Sequence, residues 1–264
     1  MSSPIVTLLS DFGLQDGYAA SMKGVILDIC PNARLVDISH LIAPQNVRSG
    51  AFVLYASYQY FPHGTVHLAV VDPGVGTERG AIAIRTGSSF FVGPDNGLFS
   101  LILKKETEWE ARRLENPQFR RSPLSSTFHG RDLFAPAAAH LARGVHFHTL
   151  GPPCDPISAQ WREPVIAKGE VIGEVIHIDR FGNAITNVPS EVLEKLGPPD
   201  KWETTAGKSV ISSIQQTYGR RKAGEPLVLT GSTGFVEIAV NQGNAASELG
   251  LASGTRVRFR LVDF

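Results

Sequence analysis

The fold class predicted from the sequence is α/β, with an N-terminal, mostly parallel α/β sandwich domain and a small C-terminal β-barrel domain. Three observations predict it. From Ile5 to Val71, apolar strand-like runs alternate with helix-length segments, the order that builds a parallel sheet with helices on its faces. Gly151-Pro152-Pro153-Cys154-Asp155-Pro156 then interrupts every periodic pattern, because it can continue neither a helix nor a central strand. Beyond it come short β-rich runs separated by Gly, Pro and Asn turns, the pattern of a small all-β domain. The expected domains are residues 1–155 and 165–264.

Residues 5–9 predict a strand, 16–30 a helix, 34–38 a strand, 47–61 a helix and 65–71 a strand. Two short strands, 81–85 and 89–92, flank the Gly87-Ser88 turn. Helices are expected over 98–104 and 131–143, the second with an alanine-rich interior suited to close packing. His146-Phe147-His148 alternates like a strand, and no partnered carboxylate accompanies it as a metal site would require. In the second domain, strands are expected over 169–178, 184–187, 227–230, 235–239 and 256–262.

With 264 residues the chain can bury a substantial core, and 42% hydrophobic with 19% charged residues describes a globular protein rather than a disordered one. Lys+Arg and Asp+Glu both number 25, a balance that gives no support to a nucleic-acid partner, which would call for a basic face. The short pairs Arg112-Arg113, Arg120-Arg121 and Arg220-Arg221 read as solvated surface. Two cysteines, Cys30 and Cys154, have no CxxC spacing and predict neither zinc nor redox chemistry. The chain enters a strand pattern at once, without a basic n-region or long apolar h-region, and has no run of about 18 apolar residues. A cytoplasmic protein with no membrane partner is expected.

Ligands of open α/β sheets sit at the carboxyl ends of strands. Two such ends carry carboxylates: Asp11, after Leu8-Leu9-Ser10, and Asp72, after Val70-Val71. Each could cap a turn, yet two in comparable positions suggest a shared crevice. Gly74-Val75-Gly76 matches neither GxGxxG nor GxxxxGK[ST], so its glycines are read as allowing a tight turn and a close backbone approach. Arg79 ends that loop. His129, before the helix, could take or relay a proton; Gly130 would expose an N–H and Asp132 could cap. Neither a GxSxG elbow nor an activated cysteine occurs, so water or a small anion is the better nucleophile. In the second domain, Asp179, Phe181 and Asn183 offer an acceptor for an ammonium, an aromatic face and an amide for a base edge. Gly231-Ser232-Thr233-Gly234-Phe235 and Asn241-Gln242-Gly243-Asn244-Ala245-Ala246 are turns whose backbone could approach a ligand.

Taken together, LLSDFGLQDGYAASMKG, ICPNARLVDISH, VVDPGVGTERG, VGPDNGLF, FHGRDLFAPAAAHLA, IDRFGNAITN and GSTGFVEIAVNQGNAASELGL resemble the S-adenosyl-L-methionine (SAM) hydroxide adenosyltransferases. These adenosine-forming SAM hydrolases are related to the SAM-dependent fluorinase and chlorinase. The resemblance implies an N-terminal α/β and a C-terminal β-barrel domain. It also implies a homotrimer with each site between neighbouring subunits, SAM as substrate, and no cofactor or metal. Asp72, Arg79 and His129 match the set that prepares water to attack C5′, where the halogenating relatives carry tyrosines in place of the Asp and the His. Gly130 follows at the position that helps hold halide in those relatives. Asp11 matches the ribose-diol carboxylate and Asp179 the carboxylate facing the methionine ammonium, in a segment one residue shorter than the fluorinase's. Phe181 and Phe235 would flank the adenine, Asn183 would bond its edge, and the backbone near Ala245 would complete its recognition. Ser232 matches a residue near the methionine carboxylate; Thr233 stands where the fluorinase has arginine, implying a looser grip on that end. A halogenase and a SAM- or adenosine-binding sensor with little turnover are the alternatives, and a nucleoside hydrolase lacks its aspartate-rich metal cluster here.

Overall fold

The structure, a computed structural model, describes residues 3–262. The chain divides into two compact units, Met1–Gln160 and Trp161–Phe264. In the first, β1 (Ile5–Ser10), α1 (Tyr18–Ile29), β2 (Arg34–Ser39), α2 (Val47–Tyr58) and β3 (Thr65–Val70) follow in the expected order. They continue into β4 (Ala81–Thr86), β5 (Ser89–Pro94), α3 (Ser100–Lys105), β6 (Trp109–Arg113) and α4 (Ala135–Ala142). The sheet runs β2-β1-β3-β5-β4-β6, parallel through β5 and antiparallel at β4 and β6.

All six residues of β3 are buried: Val66, Leu68 and Val70 make one face wholly apolar, while on the other Thr65 and His67 are buried with hydrogen bonds to the Pro62 carbonyl and Thr7. On one side, Val6, Leu8, Val66, Leu68 and Val70 join a core with Met22 and Ile26 of α1 and the alanines of α4. Ala135, Ala137, Ala138 and Ala139 have no exposed surface, so their small side chains let α4 lie close to the sheet.

Three departures from the sequence reading have physical causes. The helix expected over 131–143 opens as a π-helical turn, Gly130–Phe134, before α4. The Ala135 N–H reaches back to the Gly130 carbonyl and Pro136 has no N–H to give, so the tighter ladder cannot form there. Strand β6 has no counterpart among the expected strands, because its sequence, WEARR, is charged. It is an edge strand, and Glu110 pairs with Arg85 and, at 3.5 Å, with Arg112. His146-Phe147-His148 forms no strand: Phe147–Leu150 is a 3₁₀ turn whose spacing buries both Phe147 and Leu150.

The Gly/Pro-rich segment lies along β6, with the Arg113 N–H donating to the Pro152 carbonyl (3.0 Å) and Cys154 N–H to Ala111 (3.2 Å). Ile157 and Ala159 then donate to Asp95 Oδ1 and Ser100 Oγ, both at 2.7 Å. Residues 151–160 therefore belong to the first unit.

The second unit contains β7 (Val165–Ala167), β8 (Glu170–Ile178), β9 (Ala184–Pro189), α5 (Ser190–Leu196), β10 (Trp202–Ala206) and β11 (Ser209–Ser212). It ends with β12 (Ile214–Gln215), β13 (Pro226–Thr230), β14 (Phe235–Val240), α6 (Ala245–Glu248) and β15 (Arg256–Leu261). The strand order is β11-β10-β15-β8-β9-β14-β13-β12, with β7 beside β8. The sheet curls so that β11 approaches β13, giving a nearly closed barrel. Val171, Val175, Trp202, Val228, Val236, Ile238 and Phe259 fill it.

Candidate active site

Strands β1 and β3 are parallel neighbours, with Ser10 opposite Val70, so Asp11 and Asp72 emerge at the same edge of the sheet. After β3 the chain turns through Asp72–Gly80. At Gly76 the backbone has φ +76°, and a Cβ would collide with the Ser126 carbonyl oxygen, so only glycine fits. That close approach sets the loop against the segment leading to His129. The segment is fixed in turn by Asp132, a buried carboxylate gripped by Arg131 (2.7 and 2.8 Å) that also accepts from the Ser125 N–H (3.0 Å). Asp132 ties this segment together rather than taking part in the crevice.

Arg79 folds back onto Asp72, as its place in the loop allows. Its Nε donates to Asp72 Oδ1 at 2.8 Å and its Nη2 to Oδ2, a two-pronged grip. Nη2 is also 3.0 Å from His129 Nδ1, and the guanidinium lies 5.1 Å above the Phe134 ring. The side chains of Asp72 and Arg79 are 5% and 10% exposed. A guanidinium can only donate, so Nδ1 must accept, and a neutral His129 then carries its proton on Nε2. Burial, reinforced by the Arg79 charge and opposed by Asp72 and Asp132, holds the imidazole below its ordinary value. The arrangement is thus a neutral imidazole and a buried carboxylate joined by one arginine.

Asp11 Oδ2 accepts from the Gln45 N–H at 2.7 Å, holding a non-glycine residue at φ +65°. Its loop is anchored by a chain absent from the sequence reading: Ser10 Oγ to His40 Nδ1 (2.7 Å), His40 Nε2 to Asp37 (3.1 Å), and Lys23 to Asp37 (2.6 Å). The signal was the histidine ending VDISH, which only the pairing of β1 with β2 brings beside Ser10. Gly130 is packed so closely that a Cβ would meet Met22 Sδ at 3.1 Å and Phe12 at 3.3 Å.

In the second unit, Asp179, Phe181 and Asn183 form one turn. Asp179 Oδ1 accepts from the Phe181 and Asn183 N–H groups (2.9 and 2.8 Å), and Oδ2 from Asn183 Nδ2 (3.0 Å). The amide of Asn183 is therefore oriented, while Phe181 is 75% exposed. Gly182, at φ +87°, packs on Asn244, and its carbonyl accepts from Ala246 at 2.9 Å, so this turn and buried Ala245 lie together. Ser232 and Thr233 occupy the turn closed by Gly234 N–H to Gly231 (3.0 Å), with Phe235 opening β14. A concavity of about 690 Å³ in this unit, bordered by Leu193, Trp202 and Arg220, involves none of these residues.

Family models for the SAM hydroxide adenosyltransferase N-terminal and C-terminal domains match residues 6–151 and 173–258. The chain belongs to the SAM hydroxide adenosyltransferase family. An (R)-S-adenosyl-L-methionine hydrolase of Thermus thermophilus is 42% identical to this family member, covering 96% of this chain and 98% of the relative. A fluorinase of Nocardia brasiliensis is 27% identical over 98% and 97%. The crystal structure of an uncharacterized conserved protein from Thermotoga maritima superposes with a TM-score of 0.91 at 38% identity, covering 97% and 99%. Among the described residues no helix is long and apolar enough to cross a membrane, and no group of three His, Cys, Asp or Glu could hold a metal ion.

Proposed function

We propose that the chain hydrolyses SAM by attack of water at C5′, giving adenosine and L-methionine. The observation that carries this reading is the single guanidinium joining buried Asp72 to neutral His129. The names of the relatives at 34–42% identity agree with it.

The sulfonium is already a good leaving group, so the departing methionine needs no proton. What the reaction needs is water held in line with the C5′–S bond, which in favourable cases lowers the barrier by about 7–11 kcal/mol. His129, with Nδ1 engaged by Arg79, offers Nε2–H to the water oxygen and fixes its orientation. Asp72 takes the proton as the C5′–O bond forms: each of its oxygens accepts from Arg79 yet keeps a further lone pair. Positive charge developing on the water is met by the carboxylate. A charged carboxylate in this place is also a poor neighbour for halide, which favours hydrolysis over halogenation.

Asp11 holds the ribose diol, Asn183 and the backbone at Ala245 read the adenine edge, and Phe181 and Phe235 stack on it. Gly130 leaves its N–H near the reacting centre. Ser232 and Asp179 meet the methionine end. SAM is the substrate and no cofactor is required. In this reading the working protein is a cytoplasmic homotrimer, with each site shared by the N-terminal domain of one subunit and the C-terminal domain of the next. Reaction in H₂¹⁸O tests the chemistry: the label should enter the 5′-hydroxyl of adenosine. Adenosine without label would refute water attack.

A further inference from the structure

Glu237 stands in the middle of β14, where every other residue is apolar, and is only 7% exposed. Burying a carboxylate is costly unless a cation or several donors meet it. One donor does so here, the Tyr218 hydroxyl, 2.5 Å from Oε1. Among the described residues no ion pair reaches Glu237, and Oε2 has no hydrogen-bond partner. Oε2 lies against Gly231, 2.8 Å from where a Cβ would stand, so a side chain at 231 would cover it.

A second carboxylate is close by. Burial pushes the Glu237 carboxyl up, the Tyr218 hydrogen bond opposes this, and the charge of Asp179 adds to the rise; burial and Glu237 raise the Tyr218 phenol, with a smaller push from Asp179. The hydrogen bonds to Asp179 come from amide donors, and the basic side chain its charge acts on is His177, an imidazole that burial holds below its ordinary value and Asp179 pulls back up. Strand register supports this: Ile185 of β9 pairs with Glu237 on one side and with His177, two residues before Asp179, on the other. Two carboxylates and a phenol thus share one locale, where the base at hand is the half-buried imidazole of His177, which burial disfavours as a cation. A positively charged ligand group would complete the set.

We propose that Glu237, anchored by Tyr218, is a specificity-determining residue that receives the ammonium of the substrate's amino-acid end together with Asp179. This rests on the reading of SAM as substrate. It also accounts for Thr233: an arginine at that position would bring its own cation to the turn, whereas threonine leaves the carboxylates to the ligand.

The test compares SAM, which carries an ammonium, with adenosine, which does not. Glu237→Gln should raise the Kd and KM for SAM about 10–100-fold with kcat nearly kept and adenosine binding unchanged. Tyr218→Phe, which frees the carboxylate, should raise them about 3–10-fold. SAM affinity within twofold of wild type in Glu237→Gln would overturn the proposal. Equal weakening of SAM and adenosine would overturn it too, making the pair a structural tack. The wild type tests the parent reading separately: binding of SAM without adenosine release defeats hydrolysis, while the binding comparison still decides the role of Glu237. Binding of neither ligand overturns both.

Discussion

At the scale of single residues, Arg79 sets the chemistry of both its partners. Asp72→Asn keeps the shape but removes the proton acceptor, so kcat for adenosine release should fall about 10²–10⁴-fold, read by single-turnover product analysis. Arg79→Ala leaves Asp72 buried without its partner and should cost about 3–5 kcal/mol of stability in denaturant unfolding, beyond its loss of activity. The imidazole of His129 must be neutral to accept from Arg79, and burial and Arg79 depress it. The kcat/KM profile should therefore be flat through neutral pH and fall on the acid side, with an apparent pKa below the ordinary 6.5 of histidine. An acid limb above 6.5 would contradict that. The carboxylates, the arginine and His129 were legible in the sequence because each adjoins a strand end, a glycine loop or a helix start. The bridging role of Arg79 was not, because its hydrogen bond to His129 joins residues fifty positions apart.

At the scale of elements, the loop after β3 and the π-helical turn before α4 place the site. Gly76→Ala must leave φ +76° and clear the Ser126 carbonyl, which should cost roughly 1–3 kcal/mol and displace His129. Its signature is a lower thermal midpoint together with a lower kcat. Strand β3 carries a different liability in His67, fully buried, with Thr7 on Nδ1 and Nε2 unpartnered. Burial pushes its imidazole down to about 3 from 6.5. Above pH 6.5 it is neutral in both folded and unfolded chains and adds no pH dependence to stability. As the pH falls from 6.5 towards 3, only the unfolded chain takes up the proton, so stability falls by roughly 1.4 kcal/mol per pH unit. Unfolding at pH 7 and 4.5 should show this loss in wild type and much less in His67→Phe. The central strands β1 and β3 were readable because burial makes their sequences largely apolar, and edge strand β2 because its apolar residues are still interspersed with polar ones. The π turn and edge strand β6 were not: one depends on Gly130 and Pro136 breaking a helical register, and the other hides its pairing behind charged residues.

At the scale of the whole molecule, the change from alternating α/β to short β runs pointed to two units, while the segment 151–156 reads in the sequence as a linker between them because its backbone bonds along β6 are invisible in Gly and Pro composition. Polar strands β10 and β11 escaped notice for a related reason: WETTA and SVIS acquire their buried faces only when the barrel curls. The proposed homotrimer predicts a solution mass three times that of the 28.5 kDa chain. It also predicts complementation. Asp72→Asn and Asn183→Ala, each inactive alone, should recover activity when co-expressed, because some assembled sites then draw an intact half from each subunit. No recovery in verified mixed oligomers would refute shared sites. The claim of SAM hydrolysis itself is tested most directly by identifying the products from SAM with and without chloride, bromide or fluoride. Adenosine and methionine in equal amounts, unaffected by halide and abolished in Asp72→Asn, are the predicted result. A 5′-halo-adenosine, or SAM bound and returned unchanged, would contradict it.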